Sequence, residues 1–83
     1  MNWAIFYSER AEKDCDGLPD HALAALGELE LQLFQHPFLG DPNPADPSQR
    51  SVDFGDQGQG VVTYVLNEDE MRIGFTSVIW LGE

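Results

Sequence analysis

Carboxylates are the most abundant reactive groups in this sequence, and several stand close together: Asp14/Asp16, Glu28/Glu30, Asp53/Asp56 and Glu68/Asp69/Glu70. Paired carboxylates can divide acid and base roles in glycoside hydrolysis, or give oxygen ligands to a hard cation. With fifteen acids in 83 residues, however, such pairs arise without purpose. Asp41-Pro42-Asn43-Pro44-Ala45-Asp46 offers oxygens but lacks the glycine and closing glutamate of a calcium loop. His21 and His36 lie fifteen residues apart at opposite ends of one predicted helix, about 22 Å from each other, and cannot share a metal within one chain. Cys15 falls on an apolar helical stripe and reads as core packing rather than as a nucleophile. The run Gly55-Asp56-Gln57-Gly58-Gln59-Gly60 carries no lysine and leads into a strand, so it reads as a hairpin turn and not as a phosphate cradle. Neither a cofactor nor a metal is expected.

Charge narrows the function classes further. Four Lys and Arg against fifteen Asp and Glu give a net charge of −11. Through Gly40 there are two cations against seven acids, and beyond it two against eight, so neither part holds a basic patch. Gripping a phosphate backbone takes clustered cations, and four dispersed ones do not make that footprint. Direct nucleic-acid binding without help is therefore not expected, nor is attachment to an anionic membrane. A basic protein partner, or an acidic native setting, suits the charge better. A single cysteine excludes an internal disulfide. With no basic-then-apolar leader and no run of about eighteen apolar residues, a cytoplasmic setting is the default expectation.

The elements that would position these groups are legible from spacing. Trp3-Ala4-Ile5-Phe6-Tyr7 reads as a strand, and Ser8 as the cap of a helix opening at Glu9. Ala11, Cys15 and Leu18 form its narrow stripe, and Gly17 with Pro19 stops it. A longer helix starts at Pro19 or Asp20, with Ala22, Leu23, Leu26, Leu29, Leu33 and Phe34 as the stripe that covers a sheet. Pro37 ends it. Phe38 to Gln49 reads as an irregular loop, rich in Pro, Asp and Asn. The period then changes to two. Strands are expected at Arg50 to Phe54, Val61 to Leu66 and Met71 to Trp80, the last pair joined by a turn at Asn67-Glu68-Asp69-Glu70. On the last strand, Met71, Ile73, Phe75 and Ile79 are assigned to one face and Val78 and Trp80 to the other, with a bulge or close approach at Gly74. One domain over residues 1–83 results: an α+β two-layer sandwich, β-α-α-β-β-β, with a helical hairpin on a small, mainly antiparallel sheet.

In this order, the segments YSERAEKDCDGLP, LFQHPF and VDFGDQGQGVVTYVL resemble the RelE/ParE superfamily, the toxic halves of bacterial type II toxin–antitoxin pairs. The likeness runs from Trp3 to Trp80. It is carried by Ser8, Ala11-Glu12-Lys13-Asp14, Leu18-Pro19, Pro37, Phe54-Gly55, Gly60 and Tyr64. The resemblance implies a toxin that inhibits growth by messenger-RNA cleavage on the ribosome or by gyrase inhibition, silenced by a cognate antitoxin. If active as an enzyme, it would be a ribosome-dependent endoribonuclease. Ribonucleases of this kind use cations to hold the scissile phosphate and a late His or Tyr to move the proton of the attacking hydroxyl. Where such members carry an Arg after the tyrosine strand position and an Arg-His pair closing the final strand, this chain reads Val65 and Ile79-Trp80. The catalytic candidates that remain are Arg50 and Arg72 as phosphate holders and Tyr64 as proton carrier. With those departures, the site reads as degraded.

Two aromatics are candidate partner anchors: Phe38, in the loop, and Trp80, near the chain end. For Trp80 the alternative is to seal the end of the sheet against Trp3. A second reading of the whole chain stands beside the toxin: a non-catalytic, acidic protein-interaction module on the same fold.

Overall fold

The computed structural model describes residues 3–82. The chain order is β1 (Ala4–Tyr7), α1 (Glu9–Asp16), α2 (Asp20–Gln35), β2 (Asp41–Asn43), β3 (Asp46–Phe54), β4 (Gly60–Asn67) and β5 (Arg72–Trp80). The strands form one sheet in the order β1-β5-β4-β3-β2. β1 runs parallel to β5, and the other neighbours are antiparallel. This is the expected α+β arrangement, with one more strand than the sequence predicts.

The helix boundaries follow from local chemistry. The Ser8 hydroxyl accepts the Ala11 N–H at 3.1 Å, and Gly17 closes α1. Pro19, at φ −68°, leads into α2, whose last turn ends at His36, held extended before Pro37. α2 buries Ala22, Leu26, Leu29 and Leu33 against the sheet, while Leu23 and Phe34, assigned to the same stripe from spacing, are exposed.

Two further expectations are corrected. The segment from Phe38 to Gln49 is not irregular: β2 and the start of β3 lie in it. Asn43 accepts the Ala45 N–H at 2.9 Å through its side chain, folding a tight turn between the two strands, and Asp46 accepts the Ser48 N–H at 3.2 Å where β3 begins. The prolines are compatible with strands here because β2 is an edge and Pro47 precedes the β3–β4 pairing, which begins at Gln49. The second correction concerns β5. Thr63 pairs with Ser77 but Tyr64 pairs with Phe75, so Thr76 is the extra residue and the bulge lies there rather than at Gly74. The inward positions therefore shift from odd to even. Ile73 and Phe75 point into the core before the bulge, Val78 points in after it, and Ile79 is exposed.

The sheet thus has two unlike faces. Under the helices lie Val62, Tyr64, Leu66, Ile73, Phe75 and Val78, with Phe54 at one end; these form the core with Leu26, Leu29 and Leu33. At Gly60, a Cβ would overlap the Phe54 ring, so the tight end of the β3–β4 hairpin requires glycine. The opposite face presents Phe6, Val61, Thr63, Val65 and Ile79. No described element covers it.

Candidate functional site

Arg50 and Tyr64 are cross-strand partners on the helix side of the sheet. The Tyr64 side chain is fully buried, and its hydroxyl donates to the Pro37 carbonyl at 3.0 Å while accepting the Gly40 N–H at 2.8 Å. Arg50 Nη1 donates to the carbonyls of Phe38 at 3.1 Å and Gly40 at 2.7 Å, and its guanidinium lies 5.0 Å from the Phe38 ring centre. A Cβ at Gly40 would sit 2.7 Å from the Ser51 carbonyl oxygen, so only glycine lets the loop come this close. Together these bonds tie the segment after α2 to the sheet. Burial pushes the Tyr64 hydroxyl above its usual range, outweighing the Gly40 N–H and Arg50, which pull the other way.

Arg72 belongs to the other face. It opens β5 opposite Ala4, its guanidinium lies 4.9 Å from the Phe6 ring centre, and it meets Glu70 at 3.8 Å. The sheet therefore separates Arg50 from Arg72, and the structure does not bring Arg50, Tyr64 and Arg72 together. Val65 and Ile79, the positions at which the resemblance expects cations, share the open face with Arg72. On α1, Arg10 pairs with Asp14 at 3.4 Å and Lys13 with Glu9 at 3.6 Å.

The two aromatic anchors have different surroundings. Phe38 is half exposed and meets Trp3 edge-on, with ring centres 6.3 Å apart. Trp80 seals the sheet end, but against Phe54 and His21, each 5.6 Å away between ring centres, and not against Trp3. Its indole Nε1 is buried with no hydrogen-bond partner among the described residues.

A groove between the helices carries the remaining reactive groups. Tyr7 donates its hydroxyl to Glu30 at 2.8 Å. Burial first, then that bond and the Glu30 charge, hold the phenol well above its usual range. Cys15 faces the same groove, and burial together with Asp14, Asp16 and Glu30 raises its thiol, which disfavours the reactive thiolate. Among the described residues, no three His, Cys, Asp or Glu side chains converge as a metal site, and no helix is long and apolar enough to cross a membrane.

No protein-family model matches the sequence, and no curated protein matches it. The architecture is shared with solved structures. A chain of the RelBE2 toxin–antitoxin complex from Mycobacterium tuberculosis superimposes with a TM-score of 0.82 at 19% identity, covering 96% of this chain and 99% of that one. The isolated RelE toxin of E. coli gives 0.83 at 13% identity, over 98% of this chain and 86% of that one. A chain of the intact E. coli RelBE toxin–antitoxin complex gives 0.80 at 16% identity, over 98% of each. The chain has the RelE fold.

Within the RelE fold, the residues that carry the sequence likeness are framework. Ser8 caps α1, Pro37 ends α2 and takes the Tyr64 hydroxyl on its carbonyl, and Gly60 admits the Phe54 ring. Asp14 accepts the Val78 N–H of β5 at 3.0 Å, a contact that spacing alone did not single out. Its one sequence signal is a short carboxylate next to the apolar stripe of a helix that otherwise turns its acids to solvent.

Proposed function

We propose that this chain is the toxin-type component of a toxin–antitoxin pair in which the ribonuclease centre has decayed and partner binding remains. The observation that supports this reading is the composition of the open sheet face. Stabilising the charge that develops on a scissile phosphate requires preorganised cations close to it. On that face Val65 and Ile79 are uncharged, and among the described residues the one cation, Arg72, lies beside Glu70. Arg50 and Tyr64 enter the reading as anchors of the loop after α2, on the far side of the sheet.

The partner follows from the fold and from charge. The solved complexes of this fold hold a toxin with its antitoxin, and a −11 chain favours a partner bearing net positive charge. A cytoplasmic setting goes with this reading.

Induced expression in bacteria, with messenger-RNA ends mapped in the same cells, is the test. Normal growth at high soluble expression, no new cleavage sites, and co-purification with the product of an adjacent reading frame are expected. Growth arrest with RNA cleavage that disappears in Arg72→Ala would overturn the decayed centre and restore the catalytic reading.

A further inference from the structure

Helix α2 carries two apolar faces, and the fold covers only one. Beyond the edge of the buried stripe, Leu23, Leu31 and Phe34 are 42, 66 and 44% exposed. With Gly27 they form a second stripe, centred roughly 120° further around the helix at 3.6 residues per turn. Scattered exposed leucines are ordinary, but three large apolar side chains aligned on one helix face mark an interaction surface. Gly27 lies midway between Leu23 and Leu31, whose Cα atoms are about 12 Å apart along the axis. A Cβ at Gly27 would meet no heavy atom within 4 Å. The middle of the stripe is thus an open saddle between two leucines, into which a ridge of another helix fits.

The flank of this stripe toward α1 is acidic. Glu12, Asp16 and Glu30 line the groove between it and α1. That groove has no lysine or arginine in its lining.

We propose that this outer stripe of α2 docks a basic amphipathic helix of a partner protein. The apolar face of that helix seats over Gly27 between Leu23 and Leu31, and its lysines or arginines enter the acidic groove between α2 and α1. The proposal rests on the preceding reading only for the existence of a protein partner. A second copy of this chain is the poorer occupant, because it would bring the same acids against each other in a chain that already carries −11.

The test uses the full chain and a synthetic helical peptide of roughly eighteen residues with a leucine/alanine stripe flanked by lysines. Binding is followed by fluorescence anisotropy near physiological salt. Two variants keep the net charge: Gly27→Gln, which fills the saddle and favours helix, and Leu31→Ser, at an exposed site. Thermal melts verify that both fold. Each is expected to weaken binding about tenfold or more, while Ile79→Ser on the open sheet face leaves it unchanged. A peptide of the same composition with scrambled apolar positions is expected to lose binding. Unchanged affinity in both α2 variants, equal binding of the scrambled peptide, no binding at all, or self-association abolished by Leu31→Ser would each overturn the proposal. Growth behaviour on expression bears only on toxicity, so the two readings fail separately.

Discussion

The carboxylate of Asp14 on α1 accepts the backbone N–H of Val78 on β5 at 3.0 Å, across 64 residues of sequence. Val78 is the first core residue beyond the bulge at Thr76. On the near side of that bulge, the Ser8 N–H donates to the Phe75 carbonyl at 2.9 Å and the Ser8 hydroxyl to the Thr76 carbonyl at 3.3 Å. The residue that caps α1 and a carboxylate six residues later therefore hold both sides of the point where β5 changes face. Helix and bulge are one device.

This device makes Asp14 more than a surface acid. A hydrogen bond to an ionised acceptor contributes about 1.5–3 kcal/mol, and Asp14→Ala is expected to lower the stability by that amount. Arg10 meets the same carboxylate at 3.4 Å but is largely exposed. Exposed pairs of this kind are worth about 0–1 kcal/mol, so Arg10→Ala should have little effect. Urea denaturation of the two variants measures the difference. Equal losses would assign the role of Asp14 to helix-surface charge.

The bulge also predicts an asymmetry between adjacent residues. Val78 is buried and Ile79 exposed, although Ile79 is the larger hydrophobe. Val78→Asp should abolish the cooperative thermal transition, because an unpaired charge in the core is not tolerated. Ile79→Asp should melt close to the parent. The reverse pattern would remove the bulge from Thr76 and return β5 to simple alternation.

Such asymmetries mark what the sequence could and could not reveal. Helix ends were legible because Ser8, Gly17, Pro19 and Pro37 act locally on the backbone. The face change in β5 was not: Thr76 and Ser77 are polar on either side of the sheet, and Val78 and Ile79 are both apolar, so hydropathy carries no phase. Leu23 and Phe34 joined the core stripe on spacing alone, since period detects repetition and not how wide a face the sheet can cover. Arg50 and Arg72 differ most. As letters they are equivalent, each on a strand and each near an aromatic, and only strand register separates one to the loop side and the other to the open side.

Tyr64 offers a direct test of the loop anchor. Tyr64→Phe keeps the ring in the core but leaves the buried Gly40 N–H without its 2.8 Å acceptor. An unsatisfied buried donor costs about 1–3 kcal/mol. Hydrogen exchange should accelerate at the amides of residues 39 and 40 while the β4–β5 ladder stays protected. Uniform acceleration across the sheet would show that the hydroxyl supports the whole core rather than the loop.

The final prediction concerns alkaline pH. Tyr7 and Tyr64 are the only tyrosines, and in both the folded state holds the proton more tightly than an exposed phenol does: burial leads in each case, helped by Glu30 at Tyr7 and opposed by the Gly40 N–H and Arg50 at Tyr64. The folded pKa values thus lie above the unfolded value of about 10. Below that pH both states carry the proton, and the phenols leave stability unchanged. Above it the unfolded chain releases protons first, binds fewer than the native state, and stability falls as pH rises. Cys15, also raised by burial and its acidic neighbours, contributes with the same sign from a lower starting pH. Tyrosinate absorbance is therefore expected to appear together with loss of the far-ultraviolet dichroism, in one transition above about pH 10. A double Tyr7→Phe/Tyr64→Phe variant should lose most of that pH dependence, leaving only the shallower slope from Cys15. Reversible tyrosinate formation near the ordinary phenol pKa, with the dichroism intact, would mean that neither hydroxyl is held as the structure has it.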